Sequence, residues 1–246
     1  MSATPSPPWE LTLLGKWQLR RGGQPVKVTP RQRALITALA LHGERSREFL
    51  ATLLWADSTT AQAMGNLRAG VWQIRRRSPG LVLDFDGRLS LAEDVQVDVA
   101  ELQHNVDRIS EMTPENELRM ILESLANEAL LPGWRDSWVL IERERLHEAR
   151  VSAYESLAEQ FLARNAPRDA IRAALAAVEA DPMRESAHRW LAQSHIANGQ
   201  REKAGHVYQR FRMLSLQKFG LEPSQRFAQL VDAPASAATE VRRKHG

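Results

Sequence analysis

Shifted by 34 residues, the chain matches itself. Leu157 falls on Leu191, Ala158 on Ala192, Leu162 on Ile196 and Ala170 on Ala204. The breaks coincide as well, with Asn165-Ala166 over Gly199-Gln200, and Asp181-Pro182 stands at the end of the first copy. Small residues at 158, 170 and 177 allow two helices to approach closely. A unit of this length, apolar at helical spacing and broken once, is a helix–turn–helix hairpin. Neither hairpin can bury its apolar face alone, so the copies must stack. Stacked hairpins offer a groove or face to another protein.

The period is that of tetratricopeptide repeats. Two ordinary antiparallel helix pairs are the plainer alternative. From residue 98 onward the pattern is almost wholly helical. Asp98 and Glu101 have capping-box spacing, Thr113-Pro114 opens a helix, Leu131-Pro132-Gly133 interrupts, and Asp136 caps a helix reaching about Arg164.

The first hundred residues read differently. Trp9 to Arg20 alternates apolar and polar residues, with Trp9, Leu11 and Leu13 on one face. A turn at Arg21-Gly22-Gly23-Gln24-Pro25 lets Val26 to Val28 pair back, giving a small antiparallel sheet. Thr29, Pro30 and Gln32 form a capping box for a helix ending near His42-Gly43, and Ser46 caps a second helix. A third helix runs from about Thr60 to Arg77 and stops at Pro79-Gly80. Leu81 to Leu91 reads as a hairpin around a three-residue loop, Phe85-Asp86-Gly87. That register pairs Leu83 with Leu89, Leu81 with Leu91 and Asp84 with Arg88.

The third helix carries the strongest functional signal. Over MGNLRAGVWQIRRR (64–77) there are four arginines and no acid. Met64, Leu67, Val71 and Ile74 share one helical face, while Arg68, Trp72 and Arg76 recur at i, i+4, i+8 on the other. Gly65 and Ala69 leave the backbone unshielded there, Gln73 borders the face, and Arg75 and Arg77 flank it. Solvated cationic faces usually carry acids at i±4. An uncompensated row on the last helix of three, followed by a hairpin, suits a DNA major groove. Arg and Gln reach base edges, and further arginines neutralise phosphates. Near the helix C-terminus Arg75, Arg76 and Arg77 also complement the dipole. Trp72 either stacks on the sugar-phosphate chain or packs beneath the hairpin. Arg31, Arg33 and Arg47, near the starts of the first two helices, are phosphate-contact candidates or plain surface cations.

Charge placement agrees. Residues 1–97 hold 13 Lys/Arg against 8 Asp/Glu, a net of +5, and residues 98–246 hold 20 against 22, a net of −2. The first part therefore expects an anionic partner. The chain has no cysteine, which excludes disulfides and thiolate metal sites. Met1 to Pro8 is short, polar and proline-rich, unlike a secretory leader, and no apolar run approaches membrane-spanning length. The seven histidines form no HExxH or other metal spacing, and there is no phosphate-binding glycine loop or nucleophile elbow. No cofactor or catalytic residue is expected.

Specific stretches carry a family likeness. TPRQRALITALAL, LLW, AMGNLRAGVWQIRRR and the hairpin resemble the OmpR-type winged helix of Streptomyces antibiotic regulatory protein (SARP) class regulators. LLPGWRDSWVLIERERLHEARVSAYESLAEQFL, AIRAALAAVEADPMRESAHRWLAQSHIANGQREKAGHVYQRF and FGLEPS resemble the bacterial transcriptional activation domain that follows it. The expected fold is mainly α with a small β part: a winged helix-turn-helix, then an all-α tetratricopeptide-like domain. The expected divisions are a flexible stretch over 1–8, the winged helix over 9–97, the helical domain over 98–231 and a flexible basic tail over 232–246.

The resemblance implies a cytoplasmic transcriptional activator that binds double-stranded promoter DNA, often at direct repeats as side-by-side protomers. It also implies recruitment of RNA polymerase, homo-oligomers at least on DNA, and no membrane partner. The family's recognition motif maps onto Asn66-Leu67-Arg68 and Ile74-Arg75-Arg76, and the DNA-facing set becomes Asn66, Arg68, Ala69, Trp72, Gln73, Arg75, Arg76 and Arg77. A position commonly Arg in the family is Gln73 here, and Gly70 and Trp72 are unusual, so site preference does not transfer. Without the ATPase or receiver domains of larger relatives, the resemblance implies a short stand-alone form. A repressor of the same architecture, or a protein-binding adaptor, is the alternative.

Overall fold

A computed structural model of the chain describes residues 7–125 and 128–232. The expectations for the extreme N-terminus (residues 1–6) and the basic tail (residues 233–246) lie outside the described residues. The chain forms two compact units, Met1–His104 with Asn127–Leu146, and Asn105–Ala126 with His147–Gly246.

The first unit opens with strands β1 (Trp9–Thr12), β2 (Gln18–Arg21) and β3 (Gln24–Pro25), paired antiparallel in order. The alternation works as expected: Trp9, Leu11, Leu13 and Leu19 are all buried. The return strand is shorter than expected, since beyond Pro25 only the Val26 amide reaches back, to Leu19 O at 2.9 Å. A further strand, β7 (Gln96–Val97), adds in parallel to β1, so the sheet is mixed rather than antiparallel. Parallel pairing across some eighty residues leaves no local turn signal for a sequence reading to find.

Helix α1 (Pro30–His42) begins at the expected capping box. Gln32 N donates to Thr29 Oγ1 at 3.4 Å and Thr29 N to Gln32 Oε1 at 2.7 Å. Its Leu35, Ile36 and Leu39 are buried. The two-residue strand β4 (Arg45–Ser46) leads into α2 (Arg47–Leu54), capped by Ser46. Thr59 and Gln62 repeat the capping box at the start of α3 (Thr60–Arg77). Each such cap is worth about 1 kcal/mol.

The hairpin consists of β5 (Val82–Phe85) and β6 (Arg88–Leu91), with β4 on its outer edge. Its register differs from expectation by one residue: Val82 pairs with Leu91, Leu83 with Ser90, Asp84 with Leu89 and Phe85 with Arg88. The reason is the turn. Asp86 (φ 47°) and Gly87 (φ 74°) both take left-handed conformations and form a two-residue connection, whose twist matches that of the strands. The slip separates the leucines. Leu89 is buried, while Leu83 is 45% exposed opposite Ser90.

Asp98, the first residue of α4 (Asp98–Asp107), does not form the expected capping box. Its carboxylate accepts from the amides of Leu13 and Leu14, which follow β1, as well as from its neighbour Val99. The unit also takes in residues well beyond 97. Leu130 bridges to Leu14, and the Leu131 amide donates to Leu13 O at 2.9 Å. The Arg143 guanidinium donates to the carbonyls of Leu130 and Leu131. Trp138 is buried against His42, so much of the Leu-Leu-Pro-Gly-Trp stretch serves this unit.

In the second unit α5 (Glu115–Ser124), α6 (Ser137–Ala163, from His147 onward), α7 (Pro167–Ala180), α8 (Glu185–Ala197), α9 (Arg201–Phe219) and α10 (Gln225–Asp232) form the tetratricopeptide-like array. The repeat is physical. Leu157 and Leu191, Ala158 and Ala192, and Ala170 and Ala204 are buried as equivalents. The breaks also correspond. Asn165 (φ 58°) and Gly199 (φ 74°) are both left-handed, and each is followed by a cap residue of near-identical geometry, Ala166 (φ −107°, ψ 62°) and Gln200 (φ −104°, ψ 55°). Phe227 of α10 closes the array over Phe211 and Tyr208. His188 lies buried against Phe211, its Nε2 2.9 Å from Pro182 O. Among the described residues no helix is long and apolar enough to cross a membrane.

Candidate nucleic-acid interface

The capping box at Thr59 sets the phase of α3, and that phase decides which side chains face out. Ala63, Leu67, Val71 and Ile74 are buried, each of the three larger side chains contributing roughly 1.5–3 kcal/mol. Arg68, Ala69, Trp72, Gln73, Arg75, Arg76 and Arg77 are exposed, and Asn66 is half-buried at the edge. Met64, expected on the inner face, is half-buried and lines an open cleft with Arg47, Arg68, Val71, Trp72, Arg75 and Asp84. No heavy atom lies within 4 Å of a Cβ placed at Gly65, so the helix surface is open there. A Cβ at Gly70 would meet Leu35 Cδ2 at an ordinary 3.7 Å. Neither glycine is therefore forced by packing.

Trp72 does not pack beneath the hairpin. It is 60% exposed, and the Arg76 guanidinium stacks over its ring at 5.3 Å from the centroid. The pair forms a flat cationic and aromatic surface suited to a sugar-phosphate edge.

The other candidates divide. Arg31 and Arg33 are exposed at the start of α1, where they line a separate cleft with Leu54, Trp55 and Trp134. Arg33 is held over the Trp17 ring at 5.0 Å, and the Trp17 indole N–H donates to Thr37 Oγ1. Arg47 is brought beside α3, but an acid already engages it. Its Nη2 lies 2.7 Å from Asp84 Oδ2, and Arg75 Nη1 approaches the same oxygen at 3.5 Å. The expected Asp84–Arg88 pair does not form; Arg88 pairs with Glu44. Asp84 is thus the residue of this site that the sequence reading missed. The signal was present, because Asp86-Gly87 is a two-residue turn pair and its register turns Asp84 toward the helices.

The assembled surface is a helix with an apolar back and a cationic front that carries no acid of its own, flanked by a hairpin that brings Asp84 to Arg75. No titratable group that could act as a general acid or base sits on the front itself. The arrangement can neutralise and read a polyanion.

Residues 97–233 match the model of the bacterial transcriptional activator domain. The regulatory protein AfsR of Streptomyces coelicolor is 24% identical over 225 residues, which are 86% of this chain and 22% of AfsR. The chain thus spans under a quarter of that relative's length. Mycobacterium tuberculosis EmbR, solved in complex with a low-affinity phosphopeptide, superposes with a TM-score of 0.70 at 20% identity, over 96% of this chain and 69% of that one. At that identity the likeness is one of fold. With more than half of its residues inside the matched model, the chain belongs to the bacterial transcriptional activator domain family.

Proposed function

We propose that the chain is a sequence-specific DNA-binding activator whose helix α3 enters the major groove of promoter DNA. Arg68 and Gln73 face base edges, Arg76 and Arg77 meet phosphates, and Trp72 lies along the backbone. The hairpin rests over the adjacent phosphates as the wing. The helical array contacts RNA polymerase, and protomers assemble side by side on DNA. The observation that supports this most strongly is the front of α3: over Thr60–Arg77 the buried residues are apolar, and the exposed ones include four arginines with no acid on the helix.

Mapping of occupied genomic DNA supplies the sites, and fluorescence anisotropy on them tests the reading. Log affinity should fall linearly with log salt, with a slope near −0.9 per phosphate neutralised. Arg68→Ala should weaken specific binding by about 1–3 kcal/mol, and Arg76→Ala should weaken binding to all sequences alike and make the salt slope shallower by about 1. Unchanged affinity in both variants would remove α3 from the interface. In reconstituted transcription the chain should raise output from a mapped promoter; lowered output would make it a repressor.

A further inference from the structure

Asp84 is an acid inside a cationic site. It sits on β5, opposite Leu89, on the hairpin face that meets the helices. Its side chain is only 20% exposed, and one oxygen, Oδ2, serves both Arg47 from the start of α2 and Arg75 from the last turn of α3. Among the described residues it is the one acid lining this cleft, beside Arg47, Arg68 and Arg75. The two contacts are unequal. Arg47 is short at 2.7 Å and 22% exposed, whereas Arg75 is long at 3.5 Å and 57% exposed. Arg47 is fixed further by its backbone, whose amide donates to Gly87 O at the turn.

An arginine held by a carboxylate is not free to replace a counterion on DNA. Phosphate neutralisation carries no sequence information, and every added contact strengthens binding to all sequences alike. An acid placed among the arginines therefore lowers indiscriminate affinity while leaving the base-reading side chains untouched.

We propose that Asp84 is a positioning residue that withholds Arg47 and Arg75 from DNA phosphates and so limits non-specific binding. This rests on the DNA-binding reading above. Removal of its charge frees Arg75 first, because that contact is the longer and more exposed one, while Arg47, at 2.7 Å, can still donate to the side-chain oxygen that Asp84→Asn retains.

The test is the salt dependence of full-chain binding to a duplex of scrambled sequence, followed by anisotropy. Asp84→Asn keeps the shape and removes the charge. Its slope of log affinity against log salt should steepen by about 0.9, with roughly eightfold tighter binding near 0.1 M salt, the effect of one added phosphate contact. The double variant Asp84→Asn/Arg75→Gln should return to the wild-type slope. Asp84→Glu should keep it, and so should Glu93→Gln, which removes one exposed negative charge elsewhere in the unit. A wild-type slope in folded Asp84→Asn overturns the proposal, as does the same steepening in Glu93→Gln. Arg75→Gln alone decides the matter if Asp84→Asn does not fold. A withheld arginine can be lost without changing the slope, so a slope shallower by about 0.9 overturns the proposal. Wild-type binding that ignores salt would instead overturn the DNA reading itself.

Discussion

Asp98 stands at the start of α4, yet its carboxylate mainly serves the segment after β1. Leu13 N donates to Oδ1 and Oδ2 at 3.0 and 2.9 Å, Leu14 N to Oδ2 at 2.9 Å, and Val99 N to Oδ1 at 2.8 Å. Asp98→Ala strips the charged acceptor from the Leu13 and Leu14 amides, which lie just past β1 and have no ladder partner in its place. Hydrogen bonds to a charged group contribute about 1.5–3 kcal/mol each, so the two together could cost about 3–6 kcal/mol. The site is partly open, and water can reach Leu14, which is half-buried, better than Leu13, which is fully buried. The expected loss is therefore about 3 kcal/mol, at the lower end of that range. Asp98→Asn keeps one acceptor oxygen but sets an amide N–H₂ against donors, and should fall between wild type and alanine. Six of the seven tryptophans lie in this unit, so Trp emission reports on it once Trp190 is replaced by Phe. With a urea m-value of about 1–3 kcal/mol per molar, the alanine midpoint should drop by about 1–3 M. A loss below about 1 kcal/mol, the size of an ordinary neutral hydrogen bond, would refute the claim that this carboxylate ties the sheet to α4.

The two repeat breaks should respond with opposite signs. Gly199→Ala places a Cβ in a left-handed residue and should cost about 1–2 kcal/mol, while Asn165→Gly at the equivalent position should be neutral or stabilising. Since nothing lies within 4 Å of a Cβ at Gly199, crowding cannot explain the cost, and thermal melts of the two variants compare the positions directly. Stability should also fall in acid through His188, whose burial lowers its pKa below the ordinary 6.5. As pH drops through that value the unfolded chain gains a proton that the native ring refuses, so the native state loses ground until its own lower pKa is reached. Burial depresses His42 in the other unit in the same direction. Urea midpoints measured above and below pH 6.5 in wild type and His188→Gln check this; a variant that loses as much stability in acid as wild type would contradict it.

Where signals were local, the sequence sufficed. The Thr29–Gln32 capping box fixed the start of α1, and the apolar spacing after Thr60 named Leu67, Val71 and Ile74 as inner and Arg68, Trp72 and Arg76 as outer; the Thr59–Gln62 box that sets the start of α3 emerged in the folded chain. The 34-residue period survived as paired buried alanines and paired left-handed turns because each repeat folds against its neighbour by the same rule.

The departures from expectation share one cause. A three-residue hairpin loop pairs Asp84 with Arg88, whereas the two-residue turn sets it opposite Leu89. A choice between loops of two and three residues turns every side chain of a strand to the other face. Asp98 and Glu101 stand at capping-box spacing, but the Leu13 and Leu14 donors that claim the Asp98 carboxylate lie 85 and 84 residues away. The parallel strand β7 and the union of Leu130–Trp138 with the first unit are contacts of the same long-range kind.

By itself, then, the chain determined which segments are helices, where they begin, and that one of them presents arginines without acids. Those properties depend on residues three or four apart, whose geometry a helix dictates in advance. Which of those arginines stand free, and which are held by a carboxylate, was decided only in the folded molecule. A strand register and the meeting of α2, α3 and the hairpin at one oxygen atom follow from packing among distant segments, and no local spacing records them.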